Sequence, residues 1–238
     1  MAYKTGKQVF EDLILSNLDN TVKVKSVILA SDPEYNFTVC DTKWMRAGQS
    51  FIDQDGNVWG IEEVDQATNT VYALRPSPTA LIESGDLIEI QLPVLLHGTP
   101  LTVEGEEVHK MDANIAFVTP LIWLLDPISY EDSRYGELKS RTFEFNFYCL
   151  DFFDGNGDLN DDRHSKVVYP MTQLNEAVRE AIDKGIGIER TGNWRGVELS
   201  RLGRETKNGF ESYILSFNLS GIVSTVSVVV DSNLICCS

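Results

Sequence analysis

Residues 141–153 read RTFEFNFYCLDFF. Side chains on extended backbone alternate between faces, so Phe143, Phe145, Phe147 and Cys149 share one side and Glu144, Asn146 and Tyr148 the other. The pattern predicts a strand with one strongly apolar face, and such a face requires a second layer to cover it. Two segments have the periodicity to supply that layer. Upstream, Val9, Phe10, Leu13, Ile14 and Leu18 recur at the three-and-four spacing of an amphipathic helix over Thr5 to Leu18. Downstream, Val167, Val168, Met171, Leu174, Val178 and Ile182 repeat the spacing; Pro170 suits a first turn, where its missing N–H costs nothing, and Gly185 suits a stop.

The neighbouring segments read as strands. FVTPLIWLL is a continuous apolar run that ends at Asp126-Pro127, and GFESYILSFNLSGIVSTVSVVVD reads as two strands broken near Ser220-Gly221. From Val22 to about Val103 the texture changes to short β-prone runs separated by turn residues, with Asp55-Gly56 as a hairpin signal and Asn69 in a second turn. Five or six closely spaced strands without a helical period predict a small antiparallel barrel. The expected fold class is therefore α+β: a core domain of mixed sheet and helices from residues 1–20 and 107–238, with the barrel inserted as residues 21–106.

The strand opens into Asp151–His164, DFFDGNGDLNDDRH, with five aspartates, two asparagines and two glycines in fourteen residues. Asp154, Asn156, Asp158 and Asn160 have the spacing of the first ligands of an EF-hand. That loop also needs glycine at its sixth place and a bidentate glutamate at its twelfth, and these hold Leu159 and Ser165. The stretch is expected to be a solvated acidic turn. Paired-carboxylate catalysis would need one carboxyl buried, which a run of aspartates among glycines and asparagines does not favour. His97, His109 and His164 form no metal-ligand spacing, and there is no nucleophile elbow, Walker loop or dinucleotide fingerprint. No catalytic residue, metal or cofactor is predicted, and no enzyme.

The chain has 238 residues and a formal net charge of −16, which argues against an electrostatic grip on nucleic-acid phosphates. Its 42% hydrophobic and 24% charged content exclude a disordered or fibrous class. Cys40, Cys149, Cys236 and Cys237 lack zinc spacing and read as free thiols of a reducing compartment. No stretch approaches the length of a membrane span and the N-terminus is not a signal peptide, so a soluble protein made in the cytoplasm is expected.

One segment departs from the global charge. In residues 186–210, Arg190, Arg195, Arg201, Arg204 and Lys207 outnumber Glu189, Glu198 and Glu205, with Trp194 among them. Arginine beside tryptophan is the composition of an interface hot spot, and a basic stretch can meet the acidic face of another copy; the plainer reading is a polar loop with one packing tryptophan. The expected interface residues are Asp154, Asp158, Asp161 and Asp162 on one side and Trp194, Arg195, Arg201 and Arg204 on the other. These would be two different, complementary patches on one chain.

FVTPLIWLLDPISYEDSRYGE, then FEFNFYCLDFF, then DDRHSKVVYPMTQLNEAVREAI resemble a family of virion proteins in phages of Bacteroidetes, crAss-like phages included. The points of match are Pro120, Leu121 and Ile122, then Arg163, Tyr169, Pro170 and Met171. The resemblance covers about half the chain. It implies a structural subunit of the phage neck or head-to-tail connector, with an α/β core like that of tail-terminator or tail-completion proteins. Such subunits form a homo-oligomeric ring, twelve-fold ahead of six-fold, in the virion neck or tail. The implied partners are the portal and other neck or tail proteins, with DNA passing through the lumen without specific binding and no membrane. The inserted barrel departs from the minimal terminator pattern. An alternative is a tail- or surface-associated module whose barrel binds glycan or protein, with Trp44 and Trp59 as its platform.

Overall fold

A computed structural model of the protein describes residues 4–30, 33–98, 120–135, 138–152, 164–198 and 219–235. The chain divides into two compact units: Met1–Asp19, Pro93–Asp158 and Leu174–Ser238 in one, and Asn20–Leu92 with Leu159–Gln173 in the other. The architecture is α+β and mostly strand, with one closed barrel and one mixed sheet.

The barrel is closed and antiparallel, formed by β1 (Thr21–Ala30), β2 (Glu34–Val39), β3 (Ser50–Ile52), β4 (Val58–Asp65), β5 (Thr70–Leu74) and β6 (Leu87–Ile90), in the order β1-β2-β5-β4-β3-β6. Alternate residues face inward and are buried: Val22 and Val24, Tyr35, Phe37 and Val39, Phe51, Trp59 and Ile61, Val71 and Ala73, Ile88 and Ile90. Register shifts along β1–β2 and β4–β5 mark the irregularities that let a narrow barrel curve shut. Gly56, at φ +83°, and Asn69, at φ +53°, occupy the two predicted turns, where a left-handed residue reverses the chain.

A buried carboxylate organises the β3–β4 hairpin. Asp53 accepts hydrogen bonds from the backbone N–H groups of Asp55 and Asn57, from the Asn57 side chain, and at 2.8 Å from the indole N–H of Trp59. Burial pushes the Asp53 pKa up, but the hydrogen bonds from Trp59, Asn57 and Asp55 outweigh it and hold the carboxyl below its ordinary value.

The open sheet has the order β11-β12-β10-β8-β7. Its strands are β7 (Val94–Gly98), β8 (Leu121–Leu125), β10 (Leu138–Phe152), β11 (Ile188–Glu198) and β12 (Leu219–Asp231); β9 (Ser129–Tyr135) also pairs with β10. β7 runs parallel to β8 and the other pairs are antiparallel, which makes the sheet mixed. The residue range 21–106 expected for the barrel therefore runs too far. After Pro93, which has no N–H to donate, Val94–Gly98 pairs in the open sheet.

The phenylalanine face behaves as its alternation requires. Phe143, Phe145, Phe147 and Cys149 are buried, and burial pushes the Cys149 thiol far up. The N-terminal helical segment α1 consists of an α turn (Gly6–Val9), a π turn (Phe10–Ile14) and a 3₁₀ turn (Leu15–Asn17), opened by a reciprocal Thr5–Gln8 capping box. It places Phe10 edge-on to Phe145, with ring centroids 5.2 Å apart, and 5.4 Å from Phe147. The second helix, α2, begins as a π turn (His164–Val168) and continues as an α-helix (Tyr169–Lys184) up to Gly185. All six of its predicted apolar positions are buried. Asn175 of α2 accepts a 2.6 Å hydrogen bond from the buried Ser224 hydroxyl, which pairs across the sheet from Phe147.

The expected break near Ser220-Gly221 is not there. β12 runs without interruption from Leu219 to Asp231, and Gly221 lies directly across from Leu150. A Cβ at Gly221 would stand 1.9 Å from the Cys149 carbonyl oxygen, so glycine here permits close strand approach and does not end the strand.

Gly221→Ala should cost more than about 4 kcal/mol in urea unfolding, because backbone must move to admit the methyl. Gly60→Ala, whose Cβ would meet nothing within 4 Å, should stay within about 0.5 kcal/mol of wild type. For Asp53, a folded pKa below the unfolded one means that the stabilisation is complete above the ordinary carboxylate value and is lost as pH falls through the folded value. Asp53→Asn should therefore melt well below wild type at pH 7, and the gap should narrow at about pH 3.

Candidate functional site

β11 is an edge strand of the sheet, paired only with β12 among the described residues. Within the segment whose plainer reading is a polar loop, Ile188–Glu198 is a strand with most side chains exposed, and residues 199–210 lie outside the described residues. Its pairing is interrupted once. Thr191 sits across from Ser227 and Arg195 across from Thr225, so Gly192, Asn193 and Trp194 span a step that Val226 alone covers on β12. Gly192, at φ +80°, takes the left-handed conformation that this bulge demands.

Trp194 holds the bulge against the sheet. Its indole packs edge-on to Phe147 with centroids 5.8 Å apart, and its buried N–H has no hydrogen-bond partner among the described residues. Gly192, Asn193 and Arg195 are exposed beside it, and Val197 is 45% exposed further along the same edge. Arg190 is held by Asp183 of α2 at 2.9 Å. Of the predicted interface residues, Trp194 and Arg195 therefore lie together on one bulged edge. Asp154, Asp158, Asp161, Asp162, Arg201 and Arg204 lie outside the described residues.

On the far side of β10 the chain leaves β8, passes through a cis Asp126-Pro127 bond and enters β9. A cleft of about 710 Å³ opens there, between this connection and the start of α1. Gly6 at the start of α1 is closely approached: a Cβ would lie 2.6 Å from the Ile128 side chain. His97, near the end of β7, places Nε2 2.9 Å from Asp126 Oδ1. On the β9 side, Arg141 forks onto Asp132 at 2.6 and 3.2 Å and lies 4.3 Å from the centroid of the Tyr130 ring, which is 61% exposed. Lys4 pairs with Asp12 at 2.9 Å, and Lys7 is exposed at the cleft margin.

The sequence reading did not anticipate this cleft. Its residues come from positions near 5, 97, 128 and 141, which no local pattern connects, and only the strand pairings bring them together. The barrel tryptophans, proposed as a glycan platform, are wholly buried. Trp59 donates to Asp53 and Trp44 to the Gln91 carbonyl, so neither presents a stacking face. Among the described residues, no group of three or more His, Cys, Asp or Glu side chains could hold a metal ion, and no helix is long and apolar enough to cross a membrane. Comparison with protein-family models, curated proteins and solved structures finds no match to this chain.

The Arg141–Tyr130 contact is a cation–π pair at the margin of the cleft. A double-mutant cycle with Arg141→Ala and Tyr130→Ala, read by urea unfolding, should give a coupling energy of about 0.5–1 kcal/mol.

Proposed function

We propose that the chain is a structural subunit of a virion neck ring, built into the head-to-tail connector of a phage and joining portal to tail around the DNA channel. The observation that carries this reading is the edge of the open sheet. An eleven-residue edge strand is a surface that monomeric proteins cover; here the tryptophan-anchored bulge and Arg195 break its regularity, yet the strand keeps its length and leaves Val197 45% exposed. In a ring, the neighbouring copy covers it.

Two further features agree. The resemblance in the second half of the chain points to neck proteins, and a mixed sheet with helices is compatible with the α/β core that the resemblance implies. A net charge of −16 suits a passage through which DNA moves without being retained.

Electron microscopy and mass measurement of the full-length protein, alone and mixed with portal, test the reading. Closed rings, or rings that form on portal, are the expected outcome. A chain that stays monomeric at all concentrations and ignores portal would overturn it.

A further inference from the structure

The charge of the cleft runs against that of the chain. Its lining holds four basic side chains, Lys4, Lys7, His97 and Arg141, and one acid, Asp126, in a protein whose formal net charge is −16. Three of the bases already hold a carboxylate. Lys4 pairs with Asp12 and Arg141 with Asp132, both acids lying outside the lining, and His97 pairs with Asp126. An ammonium group carries three donors, so Lys4 can take a further acceptor beside Asp12. Lys7 is exposed and has no ion pair among the described residues. An opening of about 710 Å³ lined in this way suits a narrow chain segment that carries several carboxylates.

The chain contains such a segment. Asp154, Asp158, Asp161 and Asp162 fall in residues 154–162 with no basic residue among them, and no other nine-residue stretch is as acidic. The segment follows Phe152, where β10 ends. The cleft lies toward the other end of the same strand, since Tyr130 pairs with Phe143 and Arg141 is itself a lining residue. Nine residues of strand separate Phe143 from Phe152, a span of about 30 Å. Asp154 and Asp158, two and six residues beyond Phe152, reach at most about 7 and 22 Å from it. A copy therefore cannot set these aspartates beside its own Tyr130 and Arg141, whereas a neighbouring copy can.

Resting on the ring reading above, we propose that the acidic segment 154–162 of one copy enters the cleft of the next, its carboxylates shared among Lys4, Lys7 and Arg141. Segment and cleft are different surfaces of one chain, so the contact is head-to-tail and generates a ring where its rotation closes. The cleft is open to water, so added salt weakens the contact.

The test uses the full-length chain with Cys40, Cys236 and Cys237 changed to serine, leaving the buried Cys149. In that background, Asp158→Cys together with Lys7→Cys should give a ladder of disulfide-linked multimers on mild oxidation, alone or on portal. Neither single variant should, nor should Asp158→Cys with Val58→Cys, an exposed position outside the cleft. Lys7→Glu should raise the concentration for half-assembly by about fivefold or more without moving the urea midpoint, and adding Asp158→Lys should restore most of it. If oligomers form but the paired cysteines give no ladder and Lys7→Glu assembles like wild type, the seam is wrong and the ring reading stands. A disulfide confined to monomers would put the segment in its own copy, and dimers linked through Lys7→Cys alone would indicate a two-fold contact; either overturns the seam. A chain monomeric in every condition would remove both proposals.

Discussion

The unbroken pairing of β10 with β12 is the constraint on which the rest of the larger unit depends. Thirteen successive residue pairs, from Ser140–Asp231 to Phe152–Leu219, hold the two strands in one register. Because side chains alternate, a slip of one residue would turn Phe143, Phe145 and Phe147 out of the core. Gly221 is part of that constraint, since any side chain there would collide with the Cys149 carbonyl. With the register fixed, the phenylalanines present one continuous face: Phe10 docks on it from α1, and the Asn175–Ser224 hydrogen bond ties α2 to it. A buried polar pair of this kind specifies position more than it adds stability, because each partner becomes costly if the other moves away.

The barrel solves its own problem by a different device. Its interior is packed with aromatic rings, Phe51 stacked on Trp59 and Tyr35 edge-on to Trp59, and closure leaves no sheet edge open. The indole N–H of Trp59 would be an unsatisfied donor in that interior without Asp53. The tryptophan that fills the barrel thus depends on a carboxylate in a hairpin turn. Only the open sheet retains free edges among the described residues, and it is there that partners can add by backbone pairing.

What was legible in the sequence followed from periodicity. The phenylalanine alternation, the helical spacing of α1 and α2, and the Asp55-Gly56 and Asn69 turns each encode their structure within a few residues, and each appears where expected. What the sequence did not reveal is decided by distant residues. SYEDSRY has no apolar alternation, yet Ser129–Tyr135 is a strand because β10 offers it a partner. Val94–Gly98 follows directly on barrel strands in sequence, and its membership of the other sheet is set by β8. Gly221 resembles a break until the carbonyl opposite is known. The candidate site was half legible: Trp194 and Arg195 stood out by composition, whereas the cleft on the far side of β10 is assembled from four separate parts of the chain and had no local signal.

The bulge in β11 bears on how such an edge can be both open and selective. A flat, regular edge strand can pair with many partners in many registers, which makes it an aggregation hazard. At Thr191–Arg195 the ladder is interrupted, and Trp194 fixes the interruption against Phe147, so an incoming strand cannot slide past it. Only a partner edge with its own interruption at the matching height can pair on both sides of the bulge. A feature that weakens the strand as a generic edge thereby restricts the registers in which any neighbour can pair with it.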